Sequence, residues 1–128
     1  MSYYFAKTIE QPFEKAVDLV REALKQEGFG VITEIDVRQT LKDKIGVDYR
    51  PYRILGACNP ALAYEALQLE DKVGTMLPCN VVVQDAGAGR TEVAAIDPVA
   101  SMQAIGNEAL TSKARAVATR LQAAIERL

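Results

Sequence analysis

The chain has 128 residues, 49% of them hydrophobic and 25% charged, which is the size and balance of one folded domain rather than of a disordered segment. Lys and Arg number 15 against 17 Asp and Glu, a formal net charge of -2 that argues against broad nucleic-acid binding. Histidine is absent, which removes the commonest general base and zinc ligand and with them hydrolases of the usual Ser-His or Cys-His type.

Residues 2–9 are β-prone. They contain no basic stretch followed by an apolar run, so no secretory leader is expected. Pro12 opens an amphipathic helix with Gln11 as a weak cap; Phe13, Val17, Val20 and Leu24 recur at helical spacing and Gly28 ends it. Phe29, Val31, Thr33, Ile35 and Val37 then alternate with their neighbours, predicting a strand with one strongly apolar face. Asp36 caps a short helix that Gly46 stops and that turns Arg38, Lys42 and Lys44 outwards. A third strand follows from Tyr52 to Ala57.

Asn59-Pro60 is a cap followed by a proline at the first helical position, where a missing N–H costs nothing. The helix it starts, from Pro60 to Leu69, is apolar around most of its circumference and needs cover on more than one side. Val81-Val82-Val83 marks an interior strand, and Asp85-Ala86-Gly87-Ala88-Gly89 turns it into a fifth, Arg90 to Ile96, as an antiparallel hairpin. Asp97-Pro98 opens a short helix closed by Gly106, and Asn107 caps the last one. Leu110, Ala114, Val117, Leu121, Ala124 and Leu128 form a heptad-like stripe there, read as core packing in preference to a coiled coil.

This order predicts an α+β fold over residues 1–128 as a single domain: one mixed, partly antiparallel sheet of about five strands with the main helices on one face, a two-layer sandwich. The strand–helix–strand passage from the third strand to the fourth predicts a parallel pair, with its two cysteines several residues of rise apart. No stretch has the length of a membrane span, and two cysteines are too few for a disulfide scaffold. A cytoplasmic location with free thiols is the expectation, with no nucleic-acid or membrane partner.

Gly56-Ala57-Cys58-Asn59-Pro60 places Cys58 just before a helix N-terminus, where the positive end of the helix dipole favours a thiolate. The competing reading is a small buried hydrophobe at a strand end, and position alone favours it. Leu77-Pro78-Cys79-Asn80 presents the second thiol at a strand start. Tyr49-Arg50-Pro51-Tyr52-Arg53 suits an anionic or planar ligand, against the plainer reading of a loop folded on the sheet edge. Gly87-Ala88-Gly89 lacks the context of a nucleotide loop, and capping accounts for Asp36 more simply than acid–base work with Lys42.

The run Gly46-Val47-Asp48-Tyr49-Arg50-Pro51-Tyr52-Arg53-Ile54-Leu55-Gly56-Ala57-Cys58-Asn59-Pro60, with Leu77-Pro78-Cys79-Asn80-Val81-Val82-Val83 after it, resembles the domain-of-unknown-function family 302. The resemblance implies that Cys58 and Cys79 belong to one site, and it supplies no reaction, substrate or cofactor. The candidate ligand or redox residues are therefore Cys58, Cys79, Asn59, Tyr52 and Arg53, with no catalytic residue assigned and the metal left open. Two functions follow: a homodimeric domain that binds a small molecule or soft metal or senses redox state through the thiols, or a noncatalytic homodimeric assembly module with structural cysteines. A third, an enzyme acting on a small anion through Arg50 or Arg53, has little behind it.

Overall fold

Side-chain caps set where the elements begin. In the computed structural model, which describes residues 2–128, the chain runs β1 (Tyr4–Ile9), α1 (Phe13–Gln26), β2 (Gly30–Asp36), α2 (Val37–Ile45), β3 (Tyr52–Cys58) and α3 (Pro60–Leu69). It continues with β4 (Cys79–Gly87), β5 (Arg90–Ile96), α4 (Pro98–Met102) and α5 (Glu108–Glu126). Carboxylate or amide oxygens of Asp36, Asn59, Asp97 and Asn107 accept from Gln39 N at 2.9 Å, Leu62 N at 3.1 Å, Val99 N at 3.0 Å and Leu110 N at 3.1 Å. Each pairs an amide that the helix itself leaves open. Helix α1 starts without such a cap: Pro12 holds the cap position, and the Gln11 carbonyl instead accepts from the buried Thr91 hydroxyl at 2.8 Å. Its other end is a Schellman turn, with Gly28 N donating to Lys25 O, Phe29 N to Leu24 O, and Gly28 at φ +87°.

The sheet order is β1-β5-β4-β3-β2, with β4 central as its apolar run predicts. The class is α+β, and α1 and α5 cover one face. Val17, Val20 and Leu24 of α1 and Leu121, Ala124 and Ile125 of α5 pack on Leu55, Ala57, Val81, Val83, Val93 and Ala95 of the sheet. The stripe along α5 therefore faces the core: Leu110, Ala114, Leu121 and Ala124 are buried and leave no seam for a partner helix.

All four strand pairings are antiparallel, so the parallel pairing expected between β3 and β4 does not form. The reason lies in residues 70–77, which have no apolar periodicity to announce an element. A 3-10 turn from Asp71 to Met76 packs against α3. Ten residues of α-helix carry the chain about 15 Å out, and six of 3-10 helix return it by about 12 Å. The chain re-enters the sheet at the end it left.

The expected single apolar face of β2 is also broken. A bulge between Val31 and Thr33 shifts the register, so Thr33 and Ile35 fall on the uncovered face while Glu34 turns to the helix side. There Glu34 pairs with Arg21 and Arg53. The β4–β5 hairpin closes with Ala88 at φ 54° and Gly89 at φ +73°, the geometry of a type I′ turn.

Ala88 is the one non-glycine residue at positive φ among the described residues, a conformation that asparagine adopts at lower cost. The substitution Ala88→Asn should stabilise the fold by about 0.5–1 kcal/mol. Thermal denaturation followed by circular dichroism checks this, with a rise of a few degrees expected.

Candidate functional site

The register of β3 and β4 decides what the two cysteines can share. Ala57 lies opposite Cys79, so Cys58 is one residue beyond the partner of Cys79, at the same end of the sheet. The 3.3 Å rise per residue that separates cysteines on parallel strands does not separate these. Cys58 is half-buried, Cys79 is buried, and both are free thiols. Gly56, adjacent in β3, packs under Thr33 and Pro78, and a Cβ there would overlap both side chains. This is the close approach for which a glycine is suited.

Beyond this end of the sheet, α3, α4 and α5 border a half-open cavity of about 300 Å³. Cys58, Cys79 and Asn59 line it, together with Leu62, Ala63 and Ala66 of α3, Met102 of α4, and Leu110, Lys113, Ala114 and Val117 of α5. The lining is almost wholly apolar, and Lys113 is its one charged side chain among the described residues. Lys113 is half-exposed and holds Glu65 of α3 at 3.0 Å. Ala63 and Ala66 of α3 and Ala114 of α5 line the cavity with small side chains. The volume sits at the small end of the range typical of ligand pockets.

Asn59 is placed by two demands. Its Oδ1 caps α3 by accepting from Leu62 N, and its Nδ2 lies beside Gly28, where a Cβ would come within 3.1 Å of it. Gly28 thus answers both a left-handed turn and a close neighbour. Burial pushes the Cys79 thiol up to about 11, and the adjacent Cys58 adds to the rise. At neutral pH Cys79 is a protonated, apolar wall group.

Tyr52 and Arg53 lie at the other end of β3, six and five residues from Cys58, about 20 and 17 Å of strand. They border a second, polar groove with Phe13, Glu14, Asp36, Arg38 and Lys42. The Arg53 guanidinium donates to Glu14 at 2.8 Å, lies 3.5 Å from Glu34 and stacks 5.3 Å from the centre of the Phe13 ring. Its charge is already answered by two carboxylates. Tyr52 packs against Tyr49 with ring centres 6.0 Å apart, and burial, with help from Tyr49, raises its hydroxyl above the ordinary range. Asp36 and Lys42 share this groove, but Asp36 caps α2 and Lys42 leans toward Asp48 at 3.8 Å. The five candidate residues therefore divide into three at the cavity and two at the groove.

The sequence profile of the domain of unknown function DUF302 matches residues 5–128. The chain belongs to that family. Its fold is similar to the crystal structure of an uncharacterized conserved DUF302 protein from Bacillus stearothermophilus. The two are 30% identical, the match covers 99% of this chain and 98% of the other, and the TM-score is 0.91. Among curated proteins none matches. Within this DUF302 chain, no group of three or more His, Cys, Asp or Glu side chains gathers to hold a metal ion, among the described residues. No described helix is long and apolar enough to cross a membrane.

The two thiols should separate in a labelling experiment on the native protein. At pH 8, iodoacetamide should modify half-buried Cys58 first and reach Cys79 only under denaturant, as read by mass spectrometry. Because the Cys79 thiol titrates near 9.0 unfolded and about 11 folded, the native state keeps its proton longer. Stability should fall as pH rises from 9 to 11, and Cys79→Ala should flatten that part of the profile.

Proposed function

We propose that this DUF302 chain is a binding protein for a small, mainly apolar molecule held in the cavity between α3, α4, α5 and the end of the sheet. The observation that carries the reading is the cavity's character: about 300 Å³, walled by aliphatic side chains and three sulfur-bearing residues, Cys58, Cys79 and Met102. Thioether and thiol side chains are soft and polarizable and adapt to irregular apolar surfaces. Cys58 and Asn59 form the wall at the N-terminus of α3, and Cys79 forms the wall at the start of β4.

Reversible oxidation of the two thiols, or capture of a soft metal between them, is a second reading. Its support is the adjacency of Cys58 to the strand partner of Cys79. Against it stands the burial that keeps Cys79 protonated, since the thiolate is both the nucleophile and the metal ligand. Homodimerisation keeps part of its support in the exposed Tyr64, Leu67 and Leu69 of α3. The stripe on α5 lends it none.

The test is titration of a neutral fluorescent reporter, N-phenyl-1-naphthylamine, into the native protein. Saturable enhancement at one site is expected. Ala66→Leu and Ala114→Leu, each adding bulk from a different helix, should weaken it at least about tenfold. Both variants should still melt cooperatively, because the added side chain enters open volume. A wild-type protein that leaves the reporter dark would remove the reading, as would two folded variants that bind it unchanged.

A further inference from the structure

The cavity has a chemical polarity that narrows its occupant, provided the binding reading above holds. Its walls offer dispersion contacts and almost no hydrogen-bonding side chains, so a polyol or sugar would lose water partners without replacement. At the mouth the situation changes. Lys113 projects from the second turn of α5 as the one charged lining group among the described residues. Its ammonium carries three donors, forms an ion pair with Glu65 at 3.0 Å and is half-exposed at the mouth. The N-terminus of α3 lies at the sheet end of the same wall, at Cys58 and Asn59, the latter six residues before Glu65, so the charge at the mouth is that of Lys113. Cys79 contributes no negative charge near neutral pH, because burial keeps it protonated.

We propose that the occupant is an alkyl carboxylate: its chain lies against Cys79, Met102, Leu110 and Ala114, and its acid group pairs with the Lys113 ammonium at the mouth. A cation of the same shape would meet the Lys113 ammonium at the mouth. A neutral chain would fill the cavity and leave the ammonium to Glu65 and water. The carboxylate alone of the three uses both parts of the site, and a charge-assisted hydrogen bond at the rim gives it the advantage.

Titration calorimetry with decanoate, 1-decanol and decylamine tests this on the wild-type protein and on Lys113→Met. Decanoate should bind at least about tenfold more tightly than decanol, with decylamine weakest. Lys113→Met should bring decanoate to the level of decanol and abolish the difference between them. Glu65→Gln, which removes the same ion pair but frees the ammonium, should keep or strengthen the preference for decanoate. Decanol binding as tightly as decanoate, or a preference that survives Lys113→Met, would overturn the carboxylate assignment while the binding reading stands. If none of the three binds, both readings fall together.

Discussion

The antiparallel pairing of β3 with β4, with Ala57 opposite Cys79, is the constraint on which the cavity depends. Because β4 enters the sheet at the end where β3 leaves it, the connection must travel out and back instead of crossing to the far edge. Helix α3 makes the outward leg and the 3-10 turn from Asp71 to Met76 the return. The two cysteines stand at the feet of this excursion. The space under it is bounded by the sheet end on one side and by α4 and α5 on the other. A parallel crossover would have carried Cys79 to the far end of the strand and given α3 a place on the sheet face.

Two apolar clusters result. The larger one joins α1 and α5 to the sheet, and the smaller gathers Ala66, Val73, Met102, Leu110 and Ala114 around α3 and α4. Helix α5 belongs to both, with its first turns in the smaller cluster and its last in the larger. The cavity lies where they meet. Interiors are ordinarily packed to the density of organic crystals, so open apolar volume is a loss of dispersion contacts. Alanines at 63, 66 and 114 sustain that loss, although a leucine at any of them would add contacts. Such a loss is offset when a ligand binds the folded chain and not the unfolded one.

Much of the fold is legible in local chemistry. Asp36, Asn59, Asp97 and Asn107 each stand one residue before a helix and cap it, and Gly28, Gly46 and Gly106 end elements in the left-handed region. The central position of β4 follows from its unbroken valines. What local pattern does not carry is the direction of the β3–β4 return, since Asp71–Met76 has neither apolar period nor cap-proline signal. It also misses the bulge at Ile32, because Phe29, Val31, Thr33 and Ile35 alternate cleanly in sequence while the register slips between strands. At the site, the Cys-Asn-Pro and Leu-Pro-Cys motifs lead to the cavity. Tyr52 and Arg53 lead elsewhere, because proximity in a short motif becomes about 17 to 20 Å along an extended strand. Leu110, Lys113 and Ala114 pass as ordinary positions of an amphipathic helix, and only the spatial convergence of small residues on α3 and α5 distinguishes them.

The central claim is that open, apolar volume stands between Cys79, Leu110 and Ala114 in the folded protein. Xenon binds such volume without hydrogen bonds or charge, so diffraction from a crystal pressurised with xenon reads it directly. The account predicts a xenon atom bounded by those three side chains. A crystal that takes up xenon elsewhere, or shows α3 and α5 collapsed onto each other with no gap, would contradict it.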